Sequence, residues 1–133
     1  MIKLFIGGKG SGKTKTLIEM VNNAVNTSNG NVICIEKGDK LIHDITYKAR
    51  LIDTDAYAVA DAEALYGFIA GILASNSDIT DIFVDSALKI VGNDNAAFEN
   101  MLKKLEGITN DINLVMTASI AVEECPEGIK AYA

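Results

Sequence analysis

Apolar residues along this chain follow two alternating patterns, which predict strands and helices in turn. Short, nearly continuous apolar runs are typical of strands that are buried on both faces of a parallel sheet. These runs lie at 2–6, 31–36, 79–85 and 112–117. Apolar residues at helical spacing predict the intervening helices. The helical segments lie at about 12–27, 61–75 and 94–107. Strands that alternate with helices in this way are typical of a parallel sheet with crossover connections.

Residues that favour helix ends mark several of these boundaries. Asp61 and Asp94 each precede a helical pattern, so they are predicted N-caps. Gly107 follows the last of the three patterns and is predicted to end that helix. After Pro126 there is room for about two further helical turns.

An alternation of period two at 45–53 predicts one more strand. Ile45, Tyr47, Ala49 and Leu51 are separated by polar residues, which is typical of a half-exposed strand that finishes near Asp53. Together these elements predict an α/β fold. We expect a three-layer sandwich in which a mostly parallel sheet of about four or five strands carries helices on both faces. The length of 133 residues suits one domain, residues 1–133.

The net negative charge of the chain limits how it could bind anionic ligands. The net charge is −6, from 18 acidic and 12 basic residues, and Arg50 is the only arginine. A general basic surface is therefore not available, which argues against a nucleic-acid scaffold. Any phosphate group must be held by local geometry.

The chain shows no sign of a membrane or secreted protein. Its first apolar run is too short for a signal peptide, and no stretch of about 18 apolar residues occurs. Cys34 and Cys125 stand alone in the sequence, as ordinary thiols do in a reducing compartment. We therefore expect a cytoplasmic protein without a membrane partner.

Four glycines fall within six positions, directly after the first predicted strand. They belong to the segment Gly7-Gly8-Lys9-Gly10-Ser11-Gly12-Lys13-Thr14. This segment fits the pattern G-x-x-x-x-G-K-S/T, and it lies between a buried strand and an amphipathic helix, as the motif requires. A glycine-rich turn with a chance lysine is the alternative.

The motif predicts a phosphate-binding loop. Its glycines allow successive backbone N–H groups to point inward, where the helix N-terminus adds partial positive charge. Lys13 can then reach the β- and γ-phosphates, and the Thr14 hydroxyl can bind Mg2+. Lys9 and Lys15 add charge at or near the phosphates, or are simply solvated, while Ser11 contributes mainly its N–H.

Two carboxylates end predicted strands. Asp85 follows three apolar residues, so it is expected beside the glycine loop as a metal ligand; a turn-capping role is the alternative. Glu36 ends the second strand and is the candidate general base, or else a solvated turn residue. Thr117 and Ser119 close the last strand and can bind the γ-phosphate or the attacking water, or merely end a strand. His43 has no evident partner and is expected in a solvated loop.

These motifs resemble those of the P-loop NTPases. The run Ile82-Phe83-Val84-Asp85-Ser86 is similar to the Walker B strand of the RecA-like branch, and Ile33-Cys34-Ile35-Glu36 to the strand whose glutamate is the base. The resemblance implies that Lys13, Glu36 and Asp85 are catalytic, with Thr117 as a sensor. It also implies that Gly7, Gly12, Lys13 and Thr14 bind nucleotide and Mg2+. The chain also resembles short bacterial P-loop proteins labelled twitching-motility or PilT-like. The N-terminal domain and the histidine-containing box of pilus-retraction motors have no counterpart in it.

The sequence also departs from that family. The loops that carry DNA in RecA recombinases correspond here to 87–94, where only Lys89 is basic, and to the acidic segment 120–127. Acidic loops repel phosphate backbones, so nucleic acid is not expected as a partner. The positive charge that efficient hydrolysis requires would come from Arg50, from a lysine such as Lys89, or from a partner. That partner is a second copy of the chain or another protein.

The resemblance implies ATP and Mg2+ as cofactors and a minimal ATPase with weak intrinsic hydrolysis. Two alternatives stay open at this point. One is a nucleotide-binding regulatory or adaptor module without significant turnover. The other is a small-molecule kinase. Kinases favour arginine for binding phosphoryl groups, and this chain has only one.

Overall fold

Five strands and five α-helices follow one another in the structure, a computed structural model that describes residues 1–133. The strands are β1 (Ile2–Gly7), β2 (Asn31–Glu36), β3 (Arg50–Asp53), β4 (Ile79–Val84) and β5 (Asn113–Ser119). The helices are α1 (Lys13–Thr27), α2 (Ala62–Ser75), α3 (Ala87–Ile90), α4 (Asn95–Glu106) and α5 (Glu127–Lys130).

All five strands form one sheet in the order β1-β5-β4-β2-β3. Every neighbouring pair is parallel. Helices connect the successive strands except β2 and β3, which are joined by the bends and turns of 37–49. Strand β5 lies between β1 and β4, so the strand before the glycine loop is separated by one strand from the strand that leads to Asp85. The predicted α/β class and its parallel sheet are confirmed.

The sheet has a hydrophobic core on each face. On one face, Leu17 and Val21 of α1 lie in a cluster with Cys34, Phe83 and Val115 of the sheet. On the other face, a larger cluster of 23 buried residues joins the sheet to α2, α3, α4 and α5. Successive strand residues belong to opposite clusters because side chains alternate across a sheet. Helices therefore cover both faces, which confirms the three-layer sandwich.

The predicted caps of the two long helices after β3 are confirmed. Asp61 accepts a 2.8 Å hydrogen bond from the backbone N–H of Ala64, and Asp94 accepts one of 3.0 Å from Ala97. Gly107 does follow the end of α4, but its φ of −70° is ordinary right-handed backbone. A glycine is therefore not required by the backbone at that position.

The predicted strand at 45–53 is wrong in its first half. Only Arg50–Asp53 pairs with β2, while 45–49 forms turns with local bonds such as Ile45 N–H to Leu41 O at 3.0 Å. Leu41, Ile45 and Ala49 are buried against α1, whereas Tyr47 is 91% exposed. Within 45–49 only Ile45 and Ala49 of the alternating apolar residues are buried, and turns packed against α1 bury them without any pairing to the sheet.

Other boundaries differ by a few residues. Strand β5 reaches Ser119, and β4 ends at Val84, so that Asp85 follows the strand directly. Helix α3 was not expected from the sequence, and α5 has a single turn of helix. No helix in the structure combines the length and the apolar character that a membrane span needs.

Candidate functional site

Polar residues stand at the carboxyl ends of the parallel strands and meet at one edge of the sheet. Glu36 pairs with Asp53 in register, and Ile35 pairs with Val84, which places Asp85 beside the end of β2. Met116 also pairs with Val84, so Thr117 lies on the other side of Asp85. This edge is where ligands of open α/β sheets bind.

The glycine loop joins β1 to α1 at this edge. Gly10 and Gly12 have φ of +83° and +86°, a left-handed conformation that glycine adopts without strain. Gly12 precedes α1, and no side chain caps the first N–H groups of this helix. Those N–H groups carry the partial positive charge of the helix N-terminus, so they are donors available to an anion.

The side chain of Lys13 bends back over the loop. Its Nζ donates hydrogen bonds to Gly7 O at 3.0 Å, Gly8 O at 2.9 Å and Ser11 Oγ at 3.1 Å. The ammonium group therefore lies at the loop with its donors directed to carbonyl and hydroxyl oxygens. Oxygens of a bound phosphate are acceptors of the same kind, and they carry negative charge as well.

Thr14 and Asp85 come together beneath the loop. Thr14 Oγ1 donates to Asp85 Oδ1 at 3.1 Å, and Thr117 Oγ1 donates to the same oxygen at 2.8 Å. Ser86 N–H donates in turn to Thr117 Oγ1 at 2.8 Å. Asp85 is only 8% exposed, so these contacts fix a buried carboxylate in one orientation.

The donor set of this pair fits Mg2+. The Thr14 hydroxyl and the Asp85 carboxylate are hard oxygen ligands, which Mg2+ prefers. No group of three or more His, Cys, Asp or Glu residues is placed to hold a metal ion. Mg2+ is commonly bound by one or two protein oxygens together with substrate phosphates and water.

Glu36 lies at the same edge but faces the segment that follows β2. Its side chain is 3% exposed, and its carboxylate accepts the backbone N–H of Leu41 at 3.1 and 3.3 Å. Burial raises the pKa of Glu36, the N–H groups of Leu41 and Lys40 oppose this effect, and the charges of Asp85 and Asp53 add to it. Its predicted role as a base stays a prediction.

A cleft of about 650 Å³ opens above the loop. Every lining residue is a glycine or carries a polar side chain, and five of the 12 are lysines. The lining residues are Lys9, Gly10, Ser11, Gly12, Lys13, Thr14, Lys15, Lys40, Ser86, Lys89, Asn93 and Ser119. The predicted loop residues from Lys9 to Lys15 all face this space, while Gly7 and Gly8 accept the hydrogen bonds of Lys13.

Two lining residues were missed by the sequence reasoning. Lys40 lies in the segment after β2 and Asn93 follows α3, and neither belongs to a recognisable motif. Asn93 and Ser86 have φ of 59° and 55°, and such left-handed non-glycine residues cluster at functional sites. Arg50, by contrast, begins the edge strand β3 and does not line the cleft, and His43 is exposed, as expected.

Neither a protein family model nor a curated protein sequence matches this chain. The chemistry of the site is therefore inferred from its own residues. A glycine loop at a helix N-terminus, a set of lysines and a hydroxyl–carboxylate pair suit an anion with several phosphate groups and a hard cation.

Proposed function

We propose that this chain binds a nucleoside triphosphate with Mg2+ in the lysine-lined cleft and hydrolyses it slowly, as a minimal P-loop ATPase. The contact that carries the proposal is the 3.1 Å hydrogen bond between Thr14 and Asp85, which lie 71 positions apart. These two residues match the metal-binding positions of the Walker motifs that the sequence resembles. Their contact supports the proposal because it brings a hydroxyl and a carboxylate, oxygen ligands of the kind that Mg2+ prefers, to the glycine loop.

Each group in the cleft would have a defined role. The backbone N–H groups of the loop and of the start of α1 would bind phosphate oxygens, and Lys13 would exchange its loop acceptors for those oxygens. Thr14 and Asp85 would hold Mg2+, whose charge favours binding and transfer of the terminal phosphoryl group. Thr117 would keep the Asp85 carboxylate oriented.

Slow turnover follows from what surrounds the cleft. The only arginine of the chain, Arg50, lies on β3 and not in the cleft, so charge beyond Lys13 would come from Lys89, Lys40 or a partner. That partner would be a second copy of the chain or another protein. We place this function in the cytoplasm, since both cysteines are buried free thiols of the kind that a reducing compartment maintains.

Thermal unfolding in the presence of nucleotides tests the proposal. With ATP and Mg2+ at about 100 times the Kd, binding adds about 2.7 kcal/mol to the free energy of unfolding, which raises Tm by several degrees. Lys13→Ala removes the phosphate-binding ammonium and should abolish most of this shift. Lys48→Ala is the matched control, because Lys48 is exposed and does not line the cleft. If neither ATP, ADP nor GTP raises Tm with or without Mg2+, the proposal is wrong.

A nucleotide-binding module without turnover is the second candidate, and the contact of Glu36 with Leu41 favours it. A carboxylate that already accepts a backbone N–H and lies outside the cleft lining is poorly placed to activate water. Phosphate release at saturating ATP separates the candidates. Binding without release supports the module. Release that Glu36→Gln abolishes at unchanged affinity supports the ATPase and the base role, whereas release that is unchanged in Glu36→Gln excludes that role.

A further inference from the structure

We propose that the cleft recognises the phosphate chain of its ligand and not the nucleobase, so that ATP, GTP, CTP and inorganic tripolyphosphate bind with similar affinity. This inference rests on the proposed function and specifies its ligand class. It follows from three features of the cleft. These are the positive charge of its lining, the chemical character of the other lining residues, and the origin of Lys40 and Lys89, the two lysines outside the glycine loop, which we call the outer lysines.

The cleft concentrates positive charge in an acidic protein. Five lysines line it, although the chain has only 12 basic residues and a net charge of −6. No aspartate or glutamate belongs to the lining, and Asp85 lies below it, bonded to Thr14. A triphosphate with one Mg2+ keeps a net negative charge, so the lysines match the phosphate chain in sign.

The other lining residues offer few contacts to a nucleobase. It consists of glycine, serine, threonine and a single amide, Asn93. Sites that select a planar heterocycle hold it between apolar or aromatic side chains and place a few polar groups at its edge. The large apolar side chains that are exposed, such as Ile42, Tyr47 and Tyr57, lie outside this lining. A base at this cleft would therefore extend toward solvent.

The two outer lysines come from two segments of the chain that are separate from the glycine loop. Lys40 belongs to the segment that the contact between Glu36 and Leu41 ties to the end of β2. Lys89 lies on α3, which begins after Ser86. The positive lining thus extends beyond the glycine loop to two further segments, which suits a site for several successive phosphate groups.

Competition binding with Mg2+ tests the inference. A fluorescent ATP analogue is displaced in turn by ATP, GTP, CTP, inorganic tripolyphosphate and adenosine. The four compounds with three phosphates are expected to have Kd values within about fivefold of one another, and adenosine should not compete. A preference for one base above about fivefold, or a tripolyphosphate affinity more than about fivefold below that of ATP, overturns the inference.

Variants of the outer lysines provide an independent readout. Lys40→Ala and Lys89→Ala should each weaken all four ligands by the same factor, about 3- to 10-fold, because the lost contact is with phosphate. Lys48→Ala, which removes one exposed lysine elsewhere, should leave all four Kd values unchanged. A loss confined to one nucleotide in either outer-lysine variant contradicts the inference.

The two proposals fail in different ways. If ATP raises Tm and binds but the other three compounds do not, the ligand class is wrong while the nucleotide-binding proposal stands. If none of the four compounds binds, nucleotide binding itself is wrong and the ligand class falls with it.

Discussion

Thr117 donates a 2.8 Å hydrogen bond to Asp85 Oδ1 from the neighbouring strand, while its own oxygen accepts the N–H of Ser86. Thr117 is 1% exposed, so this contact is protected from water. Thr14 reaches the same carboxylate oxygen from α1. The orientation of Asp85 is thus determined from the sheet and from the helix together.

Thr117→Val should destabilise the protein, because it keeps the shape of the side chain but removes the hydroxyl. Ser86 N–H would then lose a partner in a part-buried setting, and one oxygen of Asp85 would lose a partner in a buried one. We expect a loss of about 1–3 kcal/mol in the free energy of unfolding, measured by urea denaturation.

Thr27→Val at the exposed end of α1 is the matched control for Thr117→Val, with an expected change within about 0.5 kcal/mol. Equal effects in the two variants would mean that the bond between Thr117 and Asp85 adds nothing to stability.

Gly12→Ala should be costly for a purely conformational reason. A Cβ at Gly12 meets no atom within 4 Å, but the φ of +86° is unfavourable for alanine by about 1–2 kcal/mol. Gly8→Ala is the control, since its Cβ also meets nothing and its φ is not left-handed. We expect a clear loss of stability for Gly12→Ala and a change within about 0.5 kcal/mol for Gly8→Ala, by thermal or urea unfolding. Similar values for the two would show that the loop does not hold Gly12 in this conformation.

The raised pKa of Glu36 predicts a specific pH dependence of the free energy of unfolding. Burial raises its pKa above the ordinary value of 4.5, so the folded protein binds this proton more tightly than the unfolded chain does. The resulting stability is fully present below pH 4.5 and is lost as pH rises through the raised pKa. Glu36→Gln lacks this titration. Its free energy of unfolding relative to wild type should therefore increase with pH across that window.

Urea denaturation of wild type and Glu36→Gln at several pH values from about 4 to 8 measures this difference. Glu123→Gln, at an exposed position, controls for the loss of one negative charge. A difference between Glu36→Gln and wild type that stays constant with pH would contradict the raised pKa.

Cys34 should be inert in the native protein. Burial, reinforced by the charges of Glu36 and Asp85, raises its pKa to about 12. Its side chain is fully buried in the hydrophobic cluster between the sheet and α1. Almost no thiolate is present at neutral pH, and the thiolate is the reactive form. In a Cys125→Ala background, labelling by a disulfide reagent should be slow in buffer and fast in urea. Rapid labelling of the native protein would show that the core on the α1 face opens readily.

Much of the fold can be predicted from the sequence because it depends on neighbouring residues. The buried strands, the capping aspartates Asp61 and Asp94, and the glycine loop between strand and helix are all patterns within about 15 contiguous residues. The segment 45–49 shows the limit of such patterns. Its period of two does not correspond to a strand, because Ile45 and Ala49 are buried in turns against α1 while Tyr47 between them is exposed. A local pattern alone does not distinguish burial in a turn from burial in a strand.

The sequence by itself determined the chemistry available at the site: the glycine loop with Lys13 and Thr14, and the carboxylates that end two strands, Glu36 and Asp85. Only the tertiary structure decided how these groups are arranged relative to one another. The strand order brings Asp85 to Thr14 and Thr117, and the segment packed on α1 turns Glu36 toward Leu41 and carries Lys40 into the cleft. These contacts join residues that are distant in the chain or depend on packing against a distant helix. They arise from burying both faces of the sheet, and local periodicity does not encode them.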